Sequence, residues 1–138
     1  MDAFDADVLI YAAEPGHRLG DPVRALFESS GPGDELSTVG IGSVLLLPEL
    51  LSKPRRNRAD GEVAALAALL GRLDLLAVDL EIAELATTLG ARHRLRSADA
   101  VHLATAVAIG ADRFITNNTR DFSAAITEID VVTPQDLR

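Results

Sequence analysis

The sequence predicts an α/β fold in which about five short strands and six helices build one sheet sandwich. Three observations predict it. Short apolar runs alternate with longer stretches of helical periodicity along the chain. Of the 138 residues, 48% are apolar, enough to fill one core, while the length is too small for two ordinary domains. No internal repeat, low-complexity tract or linker breaks the alternation, so residues 1–138 read as a single domain.

The elements follow in order. A first strand is expected over Ala3–Asp5, leading at once into a helix over Val8–Ala13 with Asp7 as its N-cap. Asp21 followed by Pro22 marks the next helix start, which runs through Val23, Leu26 and Phe27 and ends near Gly31. Glu35–Val39 reads as a short strand. Val44–Leu51 is apolar almost all round and reads as a buried helix, which Pro48 either opens or kinks. Asp60–Leu73 is amphipathic, with Val63, Leu66, Ala67, Leu70 and Leu73 on one stripe. A strand over Leu75–Val78 precedes helices over Glu81–Leu95 and Ala98–Ile109; Ser97 is the expected cap of the second, and Gly110 ends it. Arg113–Thr116 is a strand followed by the polar turn NNTRD, and Ile129–Val132 is the last strand.

Composition removes several classes of function. With no cysteine, the chain has no disulfide, thiolate metal site, iron-sulfur cluster or cysteine nucleophile. The first residues, MDAFDADVLIYAAEPG, carry acids where a secretory signal carries Lys or Arg, and the apolar run is too short to span a bilayer; a cytoplasmic protein with no membrane partner is expected. A net charge of -8 argues against a protein that coats nucleic acid without specificity, because such binding depends on cations facing phosphates. The basic residues are nonetheless clustered. Seven of the thirteen lie in two segments, Lys53, Arg55, Arg56 and Arg58 in one, and Arg92, Arg94 and Arg96 in the other.

Four acids carry the chemistry. Asp5 stands beside the first strand, where a buried carboxylate is costly unless its charge is compensated. Glu49 is the lone charge within LLLPELLS, hemmed in by leucines that leave it little freedom to face water. Asp99 lies at the second position of its helix, whose N-terminus favours the ionised form by a few tenths to about one kcal/mol. Asp121 follows the strand RFIT, with Asn118 three residues before it. Taken one by one they read as a turn residue, a surface glutamate, a helix-dipole residue and a solvated loop acid. In open parallel sheets, however, the functional crevice lies beyond the carboxyl ends of the strands, where Asp5 and the turn after Thr116 fall and to which all four acids can be brought. Several carboxylates there need raised pKa values or a cation, and hard oxygen donors without cysteine point to Mg²⁺ or Mn²⁺. Such a site hydrolyses phosphodiesters. Lys53 begins four residues after Glu49 and Arg96 ends three before Asp99, so both basic segments flank the acids, as an anionic polymer would require. His102 reads as a satisfied helix histidine. With one tyrosine and no tryptophan, base-stacking platforms are scarce.

At these residues the sequence resembles the PIN-domain nucleases, and among them the VapC-type toxins of toxin-antitoxin pairs. The segments that carry the resemblance are FDADVLIYA, ELSTVGIGSVLLLPELLS, SADAVHLATAVAIGADRFITNN and TRDF, which span nearly the whole chain in the family's order. The resemblance implies a Rossmann-like three-layer α/β/α sandwich with a mainly parallel sheet. It also implies a Mg²⁺- or Mn²⁺-dependent endoribonuclease and a homodimer neutralised by a small antitoxin. Carried over by position, Asp5, Glu49 and Asp99 match the best-defined acids, with Asp5 and Asp99 as direct metal ligands, and Thr116 matches a hydroxyl beside the pocket. The chain departs from many relatives where Asn118 stands at a position often held by Asp. Either Asp121 supplies that charge or Asn118 serves as a neutral ligand.

Two other readings compete. DADV is similar to the DxDx(T/V) motif of haloacid dehalogenase-type phosphatases, with Asp5 as nucleophile and Asp7 as general acid, but that chemistry also needs a late lysine, and Lys53 is the only lysine. The other is a PIN-like interaction module without catalysis, a reading that the Asn118 departure keeps open.

Overall fold

The computed structural model describes residues 1–28 and 37–137. Five strands, β1 (Asp2–Phe4), β2 (Gly40–Ser43), β3 (Leu73–Leu76), β4 (Arg113–Ile115) and β5 (Asp130–Val132), form one sheet in the order β3-β2-β1-β4-β5. Every neighbouring pair is parallel. Six helices connect them: α1 (Ala6–Ala13), α2 (Gly20–Glu28), α3 (Leu46–Arg56), α4 (Asp60–Leu70), α5 (Leu80–His93) and α6 (Ser97–Ala108); a short 3₁₀ turn, Pro134–Asp136, follows β5. This is the predicted α/β/α sandwich.

Side-chain alternation along the strands separates the layers. On β1, Ala3 faces a core shared with Ile82, Leu89 and Leu103 of α5 and α6, while Phe4 faces the opposite core with Val8, Phe27, Leu50 and Leu66 of α1 to α4. Phe114 and Ile115 of β4 divide in the same way. From β1 the chain steps outward to β2 and β3, then crosses over β1 through α5 and α6 to begin β4 on its other side. The direction of winding therefore reverses between β1 and β4. At that point the connections leaving the two strands diverge and open a crevice at their carboxyl ends.

Several boundaries differ from those expected, for local reasons. The first strand stops at Phe4, and Asp5 caps α1 by accepting the Ala6 N–H at 2.8 Å. Asp7 is consequently inside the helix and is not its cap. Helix α2 opens at Gly20, so Asp21 lies in the first turn and pairs with Arg24 at 2.6 Å instead of capping; the expected end near Gly31 lies outside the described residues. Of the strand expected over Glu35–Val39, residues 35 and 36 lie outside the described residues, and Ser37–Val39 are not strand; β2 begins at Gly40. A strand reading GIGS has little side-chain signal of its own. Gly40 is required by packing, since a Cβ there would come within 2.4 Å of the Asp2 carbonyl oxygen and 2.8 Å of the Phe4 ring.

Helix α3 runs five residues beyond Leu51, and Pro48 sits in its first turn, where a missing N–H costs nothing, so it opens the helix without kinking it. Leu73 leaves the α4 stripe to start β3. Asp79 caps α5 by accepting the Ile82 N–H at 2.9 Å, and α5 ends at His93 with Arg94 in the left-handed region. Ser97 is the first helical residue of α6, not its cap, and Gly110 at φ +73° closes the turn after it. The strands β4 and β5 fall within one residue of their expected bounds.

Candidate active site

The crevice between β1 and β4 collects the acids. Asp5 is the first residue beyond β1 and is buried, with 6% of its surface exposed. Its Oδ2 accepts the Thr116 hydroxyl at 2.7 Å, across from the end of β4, and the Thr116 Oγ1 in turn accepts the Asn118 N–H at 3.1 Å. The hydroxyl thus relays the backbone of the turn after β4 to the carboxylate after β1. Burial pushes the Asp5 carboxyl above the usual range, opposed by the Thr116 hydrogen bond and by His102.

Asp99, half-buried in the first turn of α6, is also raised, first by burial and then by the charges of Asp5, Asp121 and Glu49. That mutual repulsion reflects the convergence of the four acids. Asn118 and Asp121 are partners rather than rivals: the Asn118 side-chain amide donates to Asp121 Oδ2 at 2.9 Å, and the Asp121 N–H returns a bond to Asn118 Oδ1 at 3.3 Å. The charge in this corner is that of Asp121, and Asn118 orients it.

Glu49 differs from its expected setting. Leu46, Leu50 and Leu51 of α3 turn into the core, and Glu49 lies on the open side of the helix with its side chain 32% exposed, its Oε1 3.0 Å from Nε2 of His102. His102 is not a satisfied helix histidine. Its ring is buried and its Nδ1 has no hydrogen-bond partner among the described residues. Burial presses its pKa down, but the hydrogen bond and charge of Glu49, with Asp5 and Asp99, outweigh this and leave it raised.

A capping role also undervalues Asp7. Its two oxygens accept the N–H groups of Val8 at 2.7 Å and of Asn117 at 3.0 Å, tying α1 to the turn after β4. Burial and the nearby Asp5 raise its carboxyl to about 6. The repetition of aspartate at positions 5 and 7 is the signal in the sequence that points to it.

The basic segments are exposed and divide in position. Arg94 and Arg96 occupy the link between α5 and α6, immediately before the turn that carries Asp99. Lys53 is one turn beyond Glu49 on α3, with Arg55 and Arg56 at the helix end, roughly 9 to 10 Å along the axis from Glu49. Arg92 is engaged by Glu128 at 2.6 Å.

The donor set suits a hard divalent cation, being all carboxylate with an amide and a hydroxyl alongside. The raised pKa values of Asp5 and Asp99 mark a site that ionised carboxylates cannot share without added positive charge. Among the described residues, no group of three or more His, Asp or Glu side chains is drawn together tightly enough to hold a metal as they stand. No described helix is long and apolar enough to cross a membrane.

Comparison with known proteins bears on the family and the fold. The family model described as PIN domain matches residues 3–126. A toxin-antitoxin complex from Klebsiella pneumoniae contains a chain with 25% identity and a TM-score of 0.70, the match covering 97% of this chain and 98% of that one. VapBC2 from Rickettsia felis, bound to a DNA fragment from its promoter, matches at 17% identity and a TM-score of 0.72, covering 96% and 97%. DNA-bound VapBC from Salmonella typhimurium matches at 19% identity and 0.74, with the same coverage. The last two likenesses speak to the fold alone. No curated protein matches the chain in sequence.

Proposed function

Because the chain belongs to the PIN-domain family, we propose that it is a metal-dependent endoribonuclease and the VapC-type toxin of a toxin-antitoxin pair. The observation that carries this reading is the convergence of Asp5, Glu49, Asp99 and Asp121 at the carboxyl ends of β1 and β4, where burial first and then the charges of the other three raise the Asp99 carboxyl. The near full-length likeness to a chain of a toxin-antitoxin complex supports the toxin role. A small cognate antitoxin, a homodimer and a cytoplasmic location belong to the same reading, with residues 1–138 acting as one domain.

Asp5, Asp99 and Glu49 would hold Mg²⁺ or Mn²⁺, with Asp121 completing the acidic set. When bound, such an ion polarises a phosphoryl oxygen and lowers the pKa of a water molecule. The protein contributes position and charge. Thr116 keeps Asp5 turned into the crevice, Asn118 keeps Asp121 beside Asp99, and Asp7 fastens α1 to the turn that carries Asn118. Arg94 and Arg96 on one side, and Lys53, Arg55 and Arg56 on the other, bind RNA phosphates and draw the scissile bond over the acids.

The phosphatase reading fares worse on geometry. Both oxygens of Asp7 are occupied by backbone N–H groups, so it is poorly placed to act as a mobile general acid, and Lys53 is exposed on α3. Purified, antitoxin-free protein is expected to cleave RNA with Mg²⁺ or Mn²⁺ and to stop with EDTA. Asp5→Ala and Asp99→Ala are expected to lose at least about a hundredfold in rate while remaining folded by circular dichroism. Wild-type cleavage by either variant would overturn the site. An uncut RNA with both metals would favour the interaction module, and an aspartyl-phosphate trapped on Asp5 the phosphatase.

A further inference from the structure

Among the described residues, one buried side-chain polar atom lacks a hydrogen-bond partner, Nδ1 of His102. The imidazole that carries it is 1% exposed, on a helix where Leu103, Ala104 and Ala106 are fully buried. As packing, this is a poor choice, because a leucine fills similar space without leaving a polar atom unpaired. The compensation lies at the other nitrogen. Nε2 is 3.0 Å from Oε1 of Glu49, and that bond joins α6, in one helical layer, to α3 in the other, across the carboxyl edge of the sheet.

The donor is defined whatever the charge on the ring. An ionised carboxylate can only accept, so a neutral imidazole bonded to it through Nε2 carries its proton there, and a protonated one carries a proton there as well; in both forms Nε2–H donates and the carboxylate accepts. Glu49 gains much from this. A partly exposed glutamate samples many rotamers, and ordering it for ligation costs conformational entropy. A bond to a ring locked in the core removes much of that freedom before any ligand arrives.

We propose that His102 is a positioning residue for Glu49, its buried imidazole holding the glutamate carboxylate beside Asp5 and Asp99 so that the three acids offer oxygens to one divalent cation. The inference takes the proposed nuclease site as its starting point. His102 acts through Glu49 alone and touches neither the cation nor RNA.

The test uses the full chain as wild type, His102→Leu, His102→Gln and Glu49→Gln, with Mn²⁺ alone as the probe. In His102→Leu, calorimetry should read Mn²⁺ affinity weakened roughly 10- to 100-fold, the usual effect of losing a residue that orients a ligand. The same variant, free of metal, should unfold at or above the wild-type temperature, because an unpaired polar atom has been removed. His102→Gln, whose amide can donate to Glu49, should recover most of the affinity. Long-range ¹H–¹⁵N spectra of the wild type should place a proton on Nε2 of His102, with a shift that moves in Glu49→Gln. Wild-type Mn²⁺ affinity in His102→Leu, or no recovery in His102→Gln, would overturn the proposal. Should His102→Leu fail to fold, a His102 signal that ignores Glu49→Gln does the same. The nuclease reading fails separately: RNA left uncut by a wild type that binds Mn²⁺ and shows these His102 signatures overturns that reading and leaves the positioning role standing. A wild type that does not bind Mn²⁺ overturns both.

Discussion

Asp5 shows how one residue is shaped by its surroundings. It ends the central strand, caps the following helix and receives the Thr116 hydroxyl, yet burial still pushes its carboxyl above the usual range. An ionised Asp5 is therefore held in an unfavourable setting that the proposed cation would relieve. At a hundredfold excess over its dissociation constant, Mg²⁺ or Mn²⁺ is expected to stabilise the fold by about 2.7 kcal/mol through mass action, and EDTA to reverse it. Asp5→Asn and Asp99→Asn should lose this response while matching or exceeding the metal-free wild type in stability, since an amide avoids the buried charge. Thermal unfolding with and without metal measures it; equal metal stabilisation of the variants and the wild type would remove these residues from the ligand set.

At the scale of elements, the segment between β4 and β5 must stay in place for Asp121 to reach the crevice, and Glu128 anchors its far end. The Glu128 carboxylate sits 3.0 Å from His93 Nε2 and accepts Arg92 Nη1 at 2.6 Å, both from the last turn of α5. The His93 hydrogen bond, with that of Arg92, lowers its carboxyl to about 2. A carboxyl depressed in the folded state contributes stability above its unfolded value near 4.5, and that contribution is lost as pH falls through about 2. Glu128→Gln should accordingly flatten the acid limb of the stability curve between these values, and added salt should narrow the difference, because the pair is near the surface. Urea midpoints measured from pH 5 to pH 2 test this; parallel curves for variant and wild type would show that the clamp contributes nothing.

Across the whole molecule, a chain of net charge -8 binds an anion only where its basic residues outnumber the acids locally. Arg94 and Arg96, next to the helix turn that bears Asp99, form such a place, and the segment from Lys53 to Arg56 forms another beyond Glu49. Replacing Arg94 and Arg96 together by alanine is expected to raise KM for RNA. It should also reduce the slope of log affinity against log salt by about 0.7 for each single-strand phosphate that the variant no longer neutralises. Binding measured from low to moderate salt gives the slope directly. An unchanged slope would move the RNA path away from this rim.

The alternation of apolar runs and helical segments and the acids at the strand ends were legible in the sequence, because burial of apolar surface and the cost of buried charge are written in residue type and period; Glu49 stood out as the lone charge in LLLPELLS, although it faces outward and is not hemmed in by the leucines. They sufficed for an α/β sandwich with Asp5, Glu49, Asp99 and Asp121 at one edge. Strand β2 was not legible, since GIGS has no periodicity of its own and is strand only because β1 and β3 pair with it on both sides. Nor were the roles of His102, Asp7 and Asn118. His102 meets Glu49 across 53 positions of sequence and Asp7 meets Asn117 across 110, and the Asn118 amide donates to the Asp121 carboxylate. Residue type and spacing set which groups carry charge; which of them share a hydrogen bond is decided by the parallel crossovers that bring distant segments to the same end of the sheet.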